Sequence, residues 1–160
     1  MNNQIYNNTL YGNHAAAAVS FVVFMSQADV TAGRSIPHLT GNTVRDNIFW
    51  GNSGTPYSYN GKTTYTSLIY HAASYAPPWP SGGYNGNTIT RNDFDTTSNT
   101  NLIDVAYNGK YTHLQQSLSA FQSYAAADAS ANLSANPLFV NPASGNFSLT
   151  TATPVPSLGQ

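Results

Sequence analysis

Residues 42–49 read Asn42-Thr-Val44-Arg-Asp-Asn47-Ile-Phe49. The same pattern, Asn-x-[Ile/Val]-x-x-Asn-x-[Leu/Phe], recurs as Asn3-Gln-Ile5-Tyr-Asn-Asn8-Thr-Leu10 and as Asn87-Thr-Ile89-Thr-Arg-Asn92-Asp-Phe94. The first two copies run on into Gly12-Asn13 and Gly51-Asn52, the third into Thr96-Thr97. A unit with apolar residues at two fixed points, each two places after an Asn, cannot bury its apolar face alone. Stacked on its own copies it can, so the repeat predicts an architecture of stacked coils.

Working outward, apolar residues in and around the copies alternate with period two. Leu10, Phe49 and Phe94 are the core candidates of short strands, and Ile5, Val44 and Ile89 begin the same units. Between the copies lie further strand-like runs at Val19–Phe24, Thr66–Tyr70 and Asn101–Val105, separated by Asn/Gly turns. Three short strands with tight turns occupy about 20 to 25 residues per coil. The copies are spaced 39 and 45 residues apart. The excess is expected to leave as loops at Ser26–Thr40, Ser53–Thr64 and Ala72–Asn85, the last containing prolines that cannot donate to a central ladder. The Asn side chains read as structural amides stacked at the coil corners.

Composition narrows the function classes. Only 7% of the 160 residues are charged, and all six acids are Asp, against roughly 25% charged residues in an ordinary globular chain. A net charge of −1 leaves no basic surface to grip phosphates, so nucleic acid is not an expected partner. The absence of cysteine excludes disulfides, a thiol nucleophile and Cys-ligated zinc. The longest apolar run, Ala15–Met25, is broken by Ser20, is too short for a membrane span and lacks the basic n-region of a signal peptide. No membrane partner is expected, and the chain carries no export signal. Polarity resides instead in Asn, Thr, Ser, Tyr and Gly, a neutral hydrogen-bonding surface that suits contact with sugars and leans toward an extracellular setting.

Beyond Tyr111 the pattern changes. Leu114, Leu118 and Phe121 recur at helical spacing, with Ala-rich sequence to Ala129. Then come Asn136-Pro-Leu-Phe-Val-Asn-Pro-Ala-Ser-Gly-Asn-Phe-Ser-Leu149 and Thr153-Pro-Val-Pro-Ser-Leu-Gly159. This tail resembles the end of right-handed parallel β-helix proteins of the pectate-lyase-like superfamily, which carry roughly Asp-Pro-Leu-Phe-Val-Asp-Pro, a Gly-Asp-Phe-x-Leu step and Ser-Pro-Ala-Ile-Asp-x-Gly. Asn136 and Asn141 replace the acids, Thr153 the Ser and Ser157 the late Asp. These are turn and capping groups in the motif, so the exchanges leave the fold reading intact. The resemblance implies an all-β, right-handed parallel β-helix of a few coils with long lateral loops, residues 1–113 forming coils and 114–160 a C-terminal cap segment of the same domain. It implies no single activity, because this architecture hosts lyases, hydrolases, epimerases, binding modules and adhesins. The chain opens inside a repeat without a polar cap, which points to a first coil covered by a partner or by further chain.

If Leu10, Phe49 and Phe94 point inward, their neighbours point outward. One outward column holds Thr9, Ile48 and Asp93; another holds Tyr11, Trp50 and Asp95, with a repeat of about 4.8 Å along the axis. Tyr11 and Trp50 suit stacking against pyranose rings, although an outward Trp beside a loop is equally served by that loop. Tyr57, Tyr59, Tyr75, Trp79 and Tyr84 give the 53–84 segment an aromatic density that suits either a ligand or a small core of its own. Asp93 and Asp95, at i and i+2 on one strand, suit a glycosidase acid/base pair or hard-oxygen ligation of Ca²⁺, the one metal these residues would take. Arg91 is their nearest cation in sequence, a charge partner or, in a lyase, the base. The four histidines fall in no metal-ligand spacing, and neither a Gly-x-Ser-x-Gly elbow nor a phosphate-binding loop occurs.

The leading expectation is an extracellular polysaccharide-binding module acting through Tyr11, Trp50 and the aromatic loop around Trp79. The alternatives are a polysaccharide lyase or glycoside hydrolase acting through Asp93 and Asp95, and a structural or adhesin subunit whose first coil stacks end to end on another chain.

Overall fold

Each copy of the repeat folds into two short strands joined by a tight corner. The first gives β1 (Gln4–Tyr6) and β2 (Thr9–Tyr11), and β3 (Ala17–Ser20) follows. The second gives β4 (Thr43–Arg45) and β5 (Ile48–Trp50), followed by β6 (Tyr57–Tyr59), β7 (Lys62–Thr64) and β8 (Thr66–Ala73). The third gives β9 (Thr88–Thr90) and β10 (Asp93–Phe94), then β11 (Asn101–Tyr107) and β12 (Lys110–Gln115). A seven-residue helix, α1 (Leu118–Tyr124), precedes β13 (Ala129–Ser130), β14 (Phe139–Asn141) and β15 (Asn146–Leu149). The computed structural model describes residues 2–13, 17–20, 28, 31–32, 41–52, 57–59, 62–64, 66–73, 87–95, 101–107, 110–115, 118–124 and 129–159. For 17–20, 57–59, 62–64, 66–73, 101–107 and 110–115 the description is of backbone path and pairing alone.

Equivalent strands of successive copies pair in parallel. One sheet runs β1-β4-β9-β13, a second β2-β5-β10, and a third β3-β8-β11, bordered by antiparallel β12. The register aligns Ile5 with Val44, Val44 with Ile89 and Ile89 with Ala129; in the second sheet Leu10, Phe49 and Phe94 align. These are the residues the period-two reading puts inside. Val44, Phe49, Ile89 and Phe94 are buried, and the Phe49 and Phe94 rings stack with centroids 5.0 Å apart. The described residues are thus mostly strand, in parallel sheets stacked copy on copy, an arrangement compatible with a β-helix.

Asparagine holds the corners together. Asn47 Oδ1 accepts from the backbone N–H and from Nδ2 of Asn8, at 3.0 and 3.1 Å. Its own Nδ2 donates to Asn92 Oδ1 and to the carbonyl of Ile5, both at 2.9 Å. Asn92 repeats this, donating to Asn132 Oδ1 and to the Val44 carbonyl. All four hydrogen-bonding capacities of each amide are therefore filled in a site closed to water, which is what a buried polar side chain requires. Parallel ladders join Asn3, Asn42 and Asn87 and also Asn13 and Asn52. The Asn8–Asn132 ladder ends on α1, where Asn132 donates its N–H to Gln122 Oε1.

Asn132 and Leu133 belong to a fourth, degenerate copy that the pattern does not reveal. Ala129 occupies the Ile/Val place, and in the sequence Ala127 stands where the pattern would have its leading Asn. Two further details differ from expectation. Leu114 lies on β12 rather than in the helix, and the expected Ser53–Thr64 loop contains the antiparallel ribbon β6–β7.

The residue before each laddered Asn turns the corner in the left-handed region: Asn7 at φ 56°, Asp46 at 58°, Arg91 at 51° and Ala131 at 52°. Asn and Asp tolerate this conformation; Arg and Ala are strained in it. Ala131 is exposed, so Ala131→Gly removes the strain without removing a contact. The expected result is a gain of about 1 kcal/mol in denaturant unfolding, and a loss of stability would refute the strain argument. Arg91 is held by Asp46 of the preceding copy, with Nε–Oδ1 at 2.7 Å and Nη2–Oδ2 at 2.8 Å. Arg45, which also lies over the Tyr6 ring, pairs with the same carboxylate. The Arg91 hydrogen bonds are the main reason that Asp46 titrates below the usual carboxylate range.

Candidate functional site

The face that alternation directs outward from the second sheet is not a free surface. Residues 133–159 fold back across it. Leu133 pairs with Asp93 as the next rung, donating its N–H to the Asn92 carbonyl at 2.9 Å. Ile48, which alternation makes an outward residue, packs with Val155 and Leu158 in a small core of its own, flanked by Trp50, Leu133, Ala135, Phe139 and Leu149. The last residues fasten the flap: Gly159 donates its N–H to the Asp46 carbonyl at 3.0 Å and accepts from Thr9 Oγ1 at 3.2 Å.

The tail holds its shape through short-range contacts of its own Asn and Thr side chains. Asn136 Oδ1 accepts from the Leu138 N–H, and Asn146 Oδ1 from the Ser148 N–H. Thr153 Oγ1 donates to the Pro137 carbonyl and accepts from Val155 N–H. β14 and β15 form an antiparallel pair around the short 3-10 turn Pro142–Ser144. This pair is pinned to the sheet by an aromatic trio: Tyr11 to Phe139 at 5.6 Å, Tyr11 to Phe147 at 5.1 Å, and Phe139 to Phe147 at 5.6 Å.

Gly159 is the point of closest approach. Its φ is +67°, and a Cβ there would lie 2.5 Å from Thr9 Oγ1 and 3.0 Å from Ile48 Cδ1. Gly159→Ala is expected to cost about 2 kcal/mol and to raise hydrogen exchange at the Gly159 amide while leaving the Asn ladder amides protected. Unchanged exchange at Gly159 would show that the flap does not depend on this contact.

Asp93 and Asp95 share a face, as their spacing requires, but both are closed to water, Asp93 beneath the flap residues Leu133 and Ala135. Their relative exposures are 0% and 1%, so the structure corrects the expectation that they stand open to solvent. Asp93 Oδ1 accepts from the Ala135 N–H at 2.8 Å, whereas Oδ2 is buried without a hydrogen-bond partner among the described residues. Burial, reinforced by the Asp95 charge, pushes the Asp93 carboxyl up to about 7 against the pull of that N–H. Asp95 Oδ2 accepts from the Gly51 N–H at 3.0 Å. Arg91, the expected partner of this pair, is engaged by Asp46 instead. Among the described residues no group of three or more His, Asp or Glu is placed to hold a metal ion.

Tyr11 and Trp50 are paired neighbours on β2 and β5, both half-buried. The flap covers part of each and leaves an open groove of about 300 Å³ lined by Tyr11, Trp50, Asn136, Leu138, Phe139 and Pro142. No lining residue is charged. Leu138 holds its place at φ 53°, a strained conformation for a non-glycine residue. The sequence marks Tyr11 and Trp50 as outward aromatics, while the opposite wall comes from Asn136-Pro-Leu-Phe-Val-Asn-Pro142, which the sequence shows only as a motif. Tyr57 and Tyr59 lie on β6, described in its backbone alone; Tyr75, Trp79 and Tyr84 lie outside the described residues.

No protein-family model, no curated protein and no solved structure matches this chain. The groove must therefore be read from its own chemistry. An open trough with aromatic and amide walls and no charge suits a neutral ligand that offers both C–H faces and hydroxyls.

Proposed function

We propose that the chain is a right-handed parallel β-helix that binds a neutral polysaccharide in the groove between Tyr11, Trp50 and the flap, in an extracellular setting. The handedness rests on the general preference of parallel crossover connections for the right-handed path. The observation that carries the function is the composition of the groove, with Tyr11 and Trp50 on one wall and Asn136 on the other. Half-buried aromatic side chains are already ordered before the ligand arrives, so stacking against them sacrifices little entropy. Asn136 uses Oδ1 on the Leu138 N–H and has its Nδ2 without a described partner, a donor for a sugar hydroxyl. Hydrolysis or elimination through Asp93 and Asp95 is the weaker reading, since both carboxylates are buried and neither lines the groove.

The test is retention on a panel of insoluble neutral polysaccharides, with reducing ends and unsaturated products followed in parallel. Retention without product is expected, with a loss of at least about tenfold in affinity for Trp50→Ala. Because Trp50 also packs against the flap core, Asn136→Asp is the cleaner variant. It keeps the acceptor for the Leu138 N–H and replaces the donor with a charge. Full retention of Asn136→Asp would place the ligand elsewhere, and product formation would favour the catalytic reading.

A further inference from the structure

We infer that the groove selects a sugar carrying an acetamido group, so that its polysaccharide is built on N-acetylhexosamine rather than on plain hexose. The inference rests on the groove being the binding site and names the class of sugar that its walls fit. Two features of the lining carry it. Its unpartnered polar groups are donors, and one wall is apolar where a sugar's hydroxyls would find nothing to bond.

Asn136 Oδ1 is occupied by the Leu138 N–H, at 3.0 Å. The side-chain groups of the lining left without a hydrogen-bond partner among the described residues are Asn136 Nδ2, the Tyr11 hydroxyl and Trp50 Nε1. All three can donate, and of them only the Tyr11 oxygen can also accept. A ring that bears hydroxyls alone brings a proton with every oxygen, and most of those protons meet no side-chain acceptor here. An acetamido carbonyl accepts without donating, which is what Asn136 Nδ2 and Trp50 Nε1 require. The single acetamido N–H has the Tyr11 oxygen available to it.

Leu138 supplies the second argument. It is 39% exposed and stands at φ 53°, so a large apolar side chain is both open to water and on a strained backbone. The fold uses only its main chain: the N–H donates to Asn136 Oδ1, and the carbonyl accepts from the Thr150 N–H at 3.0 Å. Neither bond needs leucine, and asparagine would occupy the same conformation with less strain. Strained residues of this kind collect where a ligand is held. With Phe139 and Pro142, Leu138 makes an apolar stretch of wall. Hydroxyls pressed against it would lose water and gain no partner. A methyl group gains by the same contact, and the acetamido group carries one beside its carbonyl, leaving the sugar ring to stack on Trp50.

The test uses matched oligosaccharides that differ only at C2, acetamido against hydroxyl, titrated by calorimetry in both the gluco and the galacto series. In at least one series the acetamido member is expected to bind about tenfold tighter, the gain from one buried methyl and one hydrogen bond. Leu138→Asn removes the methyl contact and suits the left-handed backbone, so folding is preserved. It should cut the preference about fourfold and leave affinity for the hydroxyl member unchanged. Equal affinity within both pairs, or tighter binding of the hydroxyl member, overturns the inference and leaves the polysaccharide-binding groove standing. A preference that survives whole in Leu138→Asn overturns it too, because the acetamido group would then lie against another wall. So does a failure of every oligosaccharide to bind, and retention on the polysaccharide panel then decides whether the groove reading falls with it.

Discussion

Asn92→Asp is expected to remove about 3–5 kcal/mol of stability at neutral pH, a large part of what a domain of this size possesses. The substitution is isosteric, so neither volume nor helix or strand propensity explains the loss. Oδ1 would still accept from the N–H and Nδ2 of Asn47. The second oxygen, however, would stand where Nδ2 now donates to Asn132 Oδ1 and the Val44 carbonyl, at 3.0 and 2.9 Å. Two acceptors would each lose a donor and face a carboxylate that is sealed from water. Protonation would restore one donor, so the deficit should shrink as the pH falls. Urea or guanidinium unfolding at two pH values measures both effects. Asn8→Asp is the control, because it loses the equivalent Nδ2 bond to Asn47 Oδ1 at an exposed position, where the new carboxylate stays hydrated; it should lose no more than about 1 kcal/mol. If the two variants are equally destabilised, the ladder is not what holds the coils together.

The contrast between these positions also marks what the sequence discloses. A pattern of Asn and apolar residues at fixed spacing shows that copies stack, because stacking is the one arrangement in which Val44, Phe49, Ile89 and Phe94 are all buried and Asn42, Asn47, Asn87 and Asn92 all find partners. The strand alternation and the register follow directly. The outward side of the same strands is not legible in this way, for a physical reason. Alternation tells which way a side chain leaves its own sheet, not whether something else lies over it. Ile48 was the available clue, an apolar residue in a column with Thr9 and Asp93, and its partners Val155 and Leu158 lie more than a hundred residues away in sequence. The fourth rung escaped for a different reason: Ala129 and Ala127 erase the motif, while the ladder needs only Asn132 and the corner at Ala131.

The flap unites the two halves of that reading. The tail whose motif resembles the end of β-helix proteins is the element that lies against Asp93, and it also builds one wall of the groove. Stability and the site are therefore coupled. Anything that loosens residues 133–159 should expose Ile48 and widen the space beside Tyr11 and Trp50 together. Gly159 and Asp93 sit at two separate fastenings of this element, the first steric and the second electrostatic.

The electrostatic fastening leads to the second large effect. Asp93 has a folded-state pKa of about 7, raised from 3.8 chiefly by burial. Below about pH 4 both the folded and the unfolded chain carry the proton, and the carboxyl imposes no penalty. As the pH rises from there, the unfolded chain releases its proton while the folded chain retains it, so stability falls continuously until the folded-state value is passed. Above that point both forms are ionised and the penalty is constant, on the order of 4 kcal/mol for the full shift. Asp46 has the opposite sign. Its lowered pKa gives stability that is present above its ordinary value and lost only in stronger acid, so its window does not overlap that of Asp93. Asp93→Asn keeps an acceptor for the Ala135 N–H and cannot ionise. The variant is expected to match the parent near pH 4 and to exceed it by several kcal/mol, on the order of the full shift, at pH 8. The difference between the two proteins isolates this group from every other titration in the chain. Parallel stability curves across that range would mean that the carboxyl is hydrated or paired in solution, and that the flap does not bury it as tightly as the contact with Ala135 implies.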